Sequence, residues 1–145
     1  MKKGAAVAGK DQSFTPEERK AMRERAKELK NQSNKAAAEA DVMAKIAEMS
    51  GTDKAMAQKI HELVKSHAPG LDAKTWYGMP AYAKDGKTIL FFQSAGKFKV
   101  RYATLGFSEN ANLDQGPMWP NAYALTNIDA ATEKEIIRLI KLAVS

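Results

Sequence analysis

The sequence predicts a two-layer α+β domain, with helices packed on a small antiparallel sheet and an N-terminal helical arm in front of it. Apolar residues recur at helical spacing over residues 38–67 and again over 130–144. Between these helices, Thr75–Tyr102 holds seven of the chain's eleven aromatic residues, and much of it has the period of two that is typical of strands. Within this stretch Asp85-Gly86 is a strong hairpin signal, which indicates antiparallel neighbours.

Length and composition are those of a soluble globular protein. The chain has 145 residues, enough for one domain, of which 44% are hydrophobic and 28% charged. No apolar run approaches the roughly 18 residues that span a bilayer, so no membrane contact is expected. The absence of cysteine excludes zinc ribbons, iron–sulfur ligation by thiolates and thiol catalysis. The short apolar stretch after Lys3 falls below the roughly 7–15 residues of an export signal, so we expect a cytoplasmic protein.

The positive charge lies mainly at the N-terminus. Residues 1–35 hold ten basic and five acidic residues, which is a net +5 of the chain's +6. We therefore predict a flexible basic arm over residues 1–37, disordered over 1–13, and a nearly neutral domain over residues 38–145.

The arm contains one predicted helix. Thr15 is a good N-cap, Pro16 suits the first helical position, and Glu18 completes a capping box. The helix should run to about Lys30. Its apolar residues form only a thin stripe of Met22, Ala26 and Leu29. Because this stripe can bury little area, the pattern favours a solvated, partly mobile helix over a docked one.

Two helices of the predicted domain precede the sheet. The first covers roughly Ala38–Met49, and the second begins at Thr52 or Asp53 as a cap and ends near His67, before Pro69-Gly70. The inward face of the second helix should consist of Met56, Ile60, Leu63 and Val64.

Three stretches around the hairpin read as strands. Thr75–Tyr82 is interrupted by Pro80, which predicts a bulge or a sheet edge there. Lys87–Gln93 reads as a buried strand. Lys97–Thr104 alternates, with an inward face of Phe98, Val100 and Tyr102 and an outward face of Lys97, Lys99 and Arg101.

The C-terminal part begins with a long loop. Residues 106–120 contain two prolines and little periodicity, and Met118-Trp119 are the expected packing anchors. A last strand is predicted within Asn121–Asn127. Asp129 then caps a terminal helix over roughly Ala130–Val144.

One group of residues resembles a known family. The group consists of Trp76, Gly78-Met79-Pro80-Ala81-Tyr82, Asp85-Gly86-Lys87, Phe91-Phe92 and Lys97. With the order of the flanking helices, it resembles the YdhG-like family over residues 39–144. The resemblance implies an α+β domain, most of whose members are domains of unknown function. Some relatives are described as frataxin-like intracellular iron chaperones, so the resemblance also implies possible iron binding, and it supplies no catalytic residues.

Metal-binding patterns in the residues themselves are weak. Iron prefers oxygen ligands, and Glu39, Asp41 and Glu48 lie on or near one helix. Glu39 and Asp41 are the densest pair, and Asp41 and Glu48, about two turns apart, could share a face. No third carboxylate pairs with them at i+3 or i+4, so an ordinary solvated face is favoured. His61 and His67 are about 240° apart on a helix and cannot share a metal. Both are expected to be surface or capping residues without a catalytic partner.

Two other classes of function are less favoured. No acid–base or nucleophile set can be assembled, so a non-enzymatic protein is expected. Lys97, Lys99 and Arg101, interleaved with aromatic residues, could contact a nucleic acid. The nearly neutral charge of the body argues against a nucleic-acid ligand, although the basic arm keeps this alternative open.

The sequence therefore favours a non-enzymatic binding domain with a small-molecule or protein ligand and no cofactor. An iron-binding chaperone is the first alternative, and a nucleic-acid-associated protein is the second. A ligand site is expected between the bend at Gly78-Met79-Pro80 and the 106–120 loop. The residues proposed to bind ligand are Trp76, Tyr77, Met79, Tyr82, Lys97, Arg101 and Trp119. For Trp76 and Trp119, a place in the core is the more common role.

Overall fold

The structure, a computed structural model, describes residues 14–31 and 34–145. The segment 1–13, predicted to be disordered, lies outside the described residues. The helices are α1 (Pro16–Asn31), α2 (Lys35–Glu48), α3 (Gly51–His67), the single turn α4 (Ala95–Phe98) and α5 (Ala130–Ala143). The strands are β1 (Asp72–Trp76), β2 (Met79–Lys84), β3 (Lys87–Gln93), β4 (Ala103–Phe107) and β5 (Ala122–Leu125). The predicted α+β class is confirmed.

The five strands form one antiparallel meander in the order β1-β2-β3-β4-β5. Two-residue turns join the first three strands, Tyr77-Gly78 between β1 and β2 and Asp85-Gly86 between β2 and β3. Both residues of each turn have positive φ, 51° and 77° in the first turn and 52° and 80° in the second. This is the conformation of type I′ hairpins. The Asp85-Gly86 hairpin is confirmed, whereas the prediction of one strand over Thr75–Tyr82 is wrong because a turn divides it.

Proline is tolerated in β2 because of its place in the two ladders. Pro80 pairs with Thr75 of β1, whereas the pairing of β2 with β3 begins one residue later, at Ala81. The predicted irregularity of this strand lies between Tyr82 and Ala83, where the register with β3 shifts.

Helices α2, α3 and α5 cover the sheet with their apolar faces. The side chains that are almost completely buried come from both layers and include Val42, Ile46, Ile60, Val64, Leu90, Phe92, Leu105 and Ile140. The predicted inward face of α3 is confirmed, since all four of its residues are buried. Burial of these side chains supplies the main stabilisation of the domain.

The predicted strand over Lys97–Thr104 is wrong in its first half. Ala95–Phe98 forms the helical turn α4, Lys99 follows with a left-handed φ of 54°, and β4 begins only at Ala103. Phe98, Val100 and Tyr102, the predicted inward face, are therefore exposed. Lys97, Lys99 and Arg101 consequently do not form one basic strand face.

Asp53 accounts for part of this difference. Its carboxylate accepts hydrogen bonds from the backbone N–H groups of Ala95 (3.1 Å) and Gly96 (2.9 Å), at the beginning of α4. The sequence predicts Thr52 or Asp53 as the N-cap of α3. The N-cap is instead Ser50, whose side chain makes no capping hydrogen bond. Asp53 therefore binds the backbone of a segment about 42 residues later in the chain.

The long loop before β5 is anchored by one of the two predicted residues, Trp119, and by residues that were not predicted. Ala111 and Leu113 are buried in the core, and the Asn112 N–H donates to the carbonyl of Ala143 at the end of α5. Trp119 packs partly buried against the core, but Met118 is 86% exposed and is no anchor.

The last strand and helix follow the prediction. Strand β5 lies inside the predicted range. Asp129 caps α5 by accepting a hydrogen bond from the Thr132 N–H at 2.8 Å. The predicted apolar face of the helix contributes Ile136, Leu139 and Ile140 to the core.

Close packing at Gly106 gives a test of the sheet. A Cβ atom added to this buried glycine of β4 would overlap the ring of Phe91 on the neighbouring strand. We expect Gly106→Ala to lower the free energy of unfolding by about 1–3 kcal/mol, measured by urea denaturation, because the added methyl overpacks the site. Gly70→Ala is the matched control, since no atom lies within 4 Å of its added Cβ. Equal stability of the two variants would contradict the packing described here.

Candidate functional site

A cleft of about 730 Å³ opens between α1 and the rest of the molecule. Helix α1 forms one wall. The end of α2, the start of α3, the Tyr77-Gly78 turn and α4 form the other. Its volume lies in the range of about 300–1,000 Å³ that is usual for small-molecule sites. A second cavity, between the start of α2 and the first two strands, has only about 120 Å³.

The centre of the cleft is a carboxylate bound to a backbone turn. Glu28, the one buried residue of α1, accepts hydrogen bonds from the N–H groups of Tyr77 (3.1 Å) and Gly78 (2.7 Å) through its two different oxygens. Both amides belong to the type I′ turn, whose own ladder does not use them. Glu28 therefore satisfies two donors that would otherwise need water or another acceptor.

Two cations lie beside this contact. The guanidinium of Arg25 donates to Glu28 at 3.1 Å and stacks on the ring of Tyr77, 4.3 Å from its centroid. The Lys97 ammonium donates to the carbonyl of Gly78 at 3.4 Å and occupies the position where a Cβ of residue 78 would lie. Only glycine can stand there without displacing the ammonium. Among the described residues, Lys97 has no carboxylate within ion-pair distance.

Helix α1 is docked, which corrects the expectation of a solvated helix. Besides Glu28, its C-terminal half contributes a hydrogen bond from the Asn31 amide to Asp41 at 2.8 Å, and Glu24 pairs with Lys45 at 3.4 Å. Its apolar residues Met22 and Leu29 remain 47% and 54% exposed. The thin apolar stripe buries little area, as the sequence predicts, and polar contacts hold the helix instead. The division of the chain at residue 37 stays a prediction.

The cleft presents several groups to a ligand. The rings of Tyr77 and Phe98 are 59% and 40% exposed, and the ammonium groups of Lys20 and Lys97 lie on its walls. Glu17 is also exposed there. Apolar ring faces with a few charged groups can bind a small polar molecule and fix its orientation.

A separate polar network lies inside the domain at His61. This histidine is buried, and its Nδ1 lies 2.9 Å from the hydroxyl of Tyr82. Its Nε2 lies 3.5 Å from Glu39, which also accepts a hydrogen bond from Lys65 at 2.9 Å. Burial raises the pKa of Tyr82 well above its ordinary value, so the hydroxyl stays protonated. The expectation of a surface histidine without a carboxylate partner is therefore wrong for His61.

The three acidic residues considered as iron ligands each contact a different residue. Glu39 binds Lys65, Asp41 binds Asn31, and Glu48 lies 3.6 Å from Lys45. Within residues 14–31 and 34–145, no three His, Cys, Asp or Glu side chains are grouped so that they could hold a metal ion.

The structure brings together only part of the predicted ligand site. Tyr77 and Lys97 line the cleft. The other predicted residues lie elsewhere: Trp76 packs between Tyr77 and Phe91, Met79 is half-buried in β2, Tyr82 is in the core, Arg101 stacks on Tyr102, and Trp119 packs on the core from its loop. The 106–120 loop does not border the cleft.

Sequence reasoning missed Glu28, Arg25 and Asp53 as residues of the cleft. Glu28 and Asp53 act on backbone groups 42–50 residues away, and no local pattern marks such pairs. Gly78 was the one available signal, because a glycine between two strand patterns can mark a two-residue turn whose amides lie outside the ladder.

Comparison with known protein families, with curated proteins and with solved structures found no match. The resemblance to the YdhG-like family therefore stays a prediction. Among the described residues, no helix combines the length and apolar character needed to cross a bilayer.

Removal of the Glu28 carboxylate tests the docking of α1. We expect Glu28→Ala to lower the free energy of unfolding by about 1–3 kcal/mol, because two backbone amides lose their acceptor. Hydrogen exchange at Tyr77 and Gly78, followed by NMR, should accelerate. Glu17→Ala on the same helix is the control and should stay within about 0.5 kcal/mol of wild type. Unchanged exchange at Gly78 in Glu28→Ala would show that the contact is not maintained in solution.

The Glu39 pair predicts a pH dependence of stability. The hydrogen bond from Lys65 holds the pKa of Glu39 below its ordinary value of 4.5, so its stabilisation is present above 4.5 and is lost as the pH falls through the folded-state pKa. Because Glu39 is 37% exposed, the effect should be at most about 1 kcal/mol. Urea unfolding of wild type and Glu39→Gln should show a difference at pH 7 that shrinks towards about pH 3. Glu109→Gln in the exposed loop is the control, and a difference that grows on acidification would contradict the assignment.

Proposed function

We propose that this protein is a non-enzymatic binding domain whose ligand is a small polar molecule held in the cleft between α1 and the body. The observation that carries the proposal is a cleft of ligand size whose body wall presents the exposed rings of Tyr77 and Phe98 and the side chain of Lys97. Tyr77 and Lys97, both selected from the sequence as ligand-binding residues, lie on that wall. The cytoplasmic location expected from the sequence belongs to the same proposal.

Small-molecule binding is favoured over the two alternatives by the placement of charge. The nucleic-acid alternative depends on three cations on one strand face, and the residues concerned instead occupy a helical turn, the residue that follows it and a bend. The iron reading rests on the YdhG-like resemblance, and the candidate carboxylates each have other partners. Neither alternative has an observation in the described residues that favours it.

The proposal predicts where ligands bind. Amino acids, carboxylic acids, nucleotides and polyamines can be screened by NMR, and at least one of these classes should shift the amides of Tyr77 and Lys97. Tyr77→Asn removes the ring while keeping a residue that tolerates positive φ, and Lys97→Gln removes the charge. Each change should weaken binding about tenfold, as expected for the loss of roughly 1.4 kcal/mol.

Tyr102→Asn and Lys87→Gln are the matched controls, since both side chains are exposed outside the cleft. They should leave the affinity unchanged. A screen in which no compound shifts cleft residues, or in which the controls weaken binding as much as the cleft variants, would refute the proposal.

A further inference from the structure

We infer that the Tyr77-Gly78 turn is a carboxylate-binding site, that Glu28 occupies it in the free protein, and that the ligand of the cleft is a small carboxylate that replaces Glu28. This inference rests on the proposed function and specifies its ligand class. It concerns the turn amides, the adjacent ammonium of Lys97 and the helix that covers them.

The turn provides the donors. Trp76 and Met79 pair at the end of the hairpin, so the N–H groups of the two residues between them lie outside the ladder. The Gly78 amide is buried, and the two N–H groups converge on one carboxylate at 3.1 and 2.7 Å. Successive backbone N–H groups that converge in this way form anion-binding concavities. Two donors side by side match the two oxygens of a carboxylate.

The charge next to the turn also fits an anion. The Lys97 ammonium lies against Gly78, and its only acceptor among the described residues is the Gly78 carbonyl. It belongs to α4 and therefore remains in place if α1 moves away. Arg25, in contrast, is on α1 and leaves together with Glu28. A ligand carboxylate would thus find two amides and an ammonium group on the body of the domain.

Glu28 is held in the turn weakly enough to be replaced by a ligand carboxylate. Glu28 is the only buried side chain of a sixteen-residue helix, and the apolar Met22 and Leu29 stay largely exposed. The remaining contacts of α1 are polar and include partly exposed ion pairs, such as Glu24 with Lys45. A ligand that binds only the open state shifts this equilibrium by its own affinity. Glu28 therefore acts as an internal competitor for the ligand.

Acetate is the probe that tests the inference. In ¹H–¹⁵N spectra of Glu28→Ala, the amides of Tyr77 and Gly78 should shift saturably with sodium acetate, compared with sodium chloride at the same ionic strength. The apparent affinity should exceed that of wild type by about tenfold or more, because the internal competitor is gone. The double variant Glu28→Ala/Lys97→Gln should lose several-fold in affinity. Arg23→Ala, at an exposed position of the same helix that does not line the cleft, should behave as wild type.

Two results would overturn the inference. One is an acetate response of Glu28→Ala that does not exceed the chloride response at Tyr77 and Gly78, and the other is equal acetate affinity in Glu28→Ala and wild type. If Glu28→Ala does not fold, the same titration with Glu28→Gln decides, since the amide can accept from only one of the two N–H groups. No acetate binding combined with library ligands that map to the cleft refutes the carboxylate site and leaves the proposed function standing. If acetate binds to Glu28→Ala but no compound of the library shifts cleft residues of the wild-type protein, the turn remains a carboxylate site and the proposed function is refuted.

Discussion

Backbone amides that secondary structure leaves unpaired are satisfied here by two helical carboxylates. Glu28 of α1 binds the two amides of the β1–β2 turn, and Asp53 of α3 binds the two amides that begin α4. The Gly78 amide is buried, and an unsatisfied buried donor costs about 1–3 kcal/mol, so Glu28 fixes the conformation of its turn. Asp53 makes the corresponding pair of bonds at the partly exposed start of α4. Both carboxylates lie on the wall of the same cleft. The shape of the cleft therefore depends on the same bonds that hold these two segments in place.

Local signals explain what the sequence predicts well. The apolar spacing of α3, the Asp129 cap of α5 and the Asp85-Gly86 turn each require only neighbouring residues, and all three appear as expected. The alternation over Lys97–Thr104 is an equally clear local pattern, yet it fails. Asp53 binds the start of that segment from 42 residues away, and Lys99 adopts a left-handed conformation that ends the helical turn. A pairing at that distance leaves no periodic trace in the sequence.

In the candidate site too, residues marked by a local pattern could be predicted, and residues placed by a distant contact could not. Tyr77 and Lys97 could be selected because aromatic and basic side chains at a predicted bend are common in binding sites. Tyr82 has the same local appearance but points to His61 in the core, a contact across 21 residues. Glu28 carried no signal, since a glutamate on a charged helix usually lies in solvent. Glu28 is buried because it contacts the Tyr77-Gly78 turn, and its neighbours in the sequence do not indicate this contact.

The hydrophobic core and the cleft are stabilised by different forces. Among the described residues, the buried core cluster draws on α2, α3, α5 and the sheet, and it includes no residue of α1. Apolar burial, which supplies most of the folding free energy, is therefore complete without that helix. Helix α1 is held against this packed body by polar contacts, which weaken as the salt concentration rises. Because Glu28 belongs to the added helix, the Tyr77-Gly78 turn can be emptied while the core remains folded, and this separation is what exchange of Glu28 for a ligand requires.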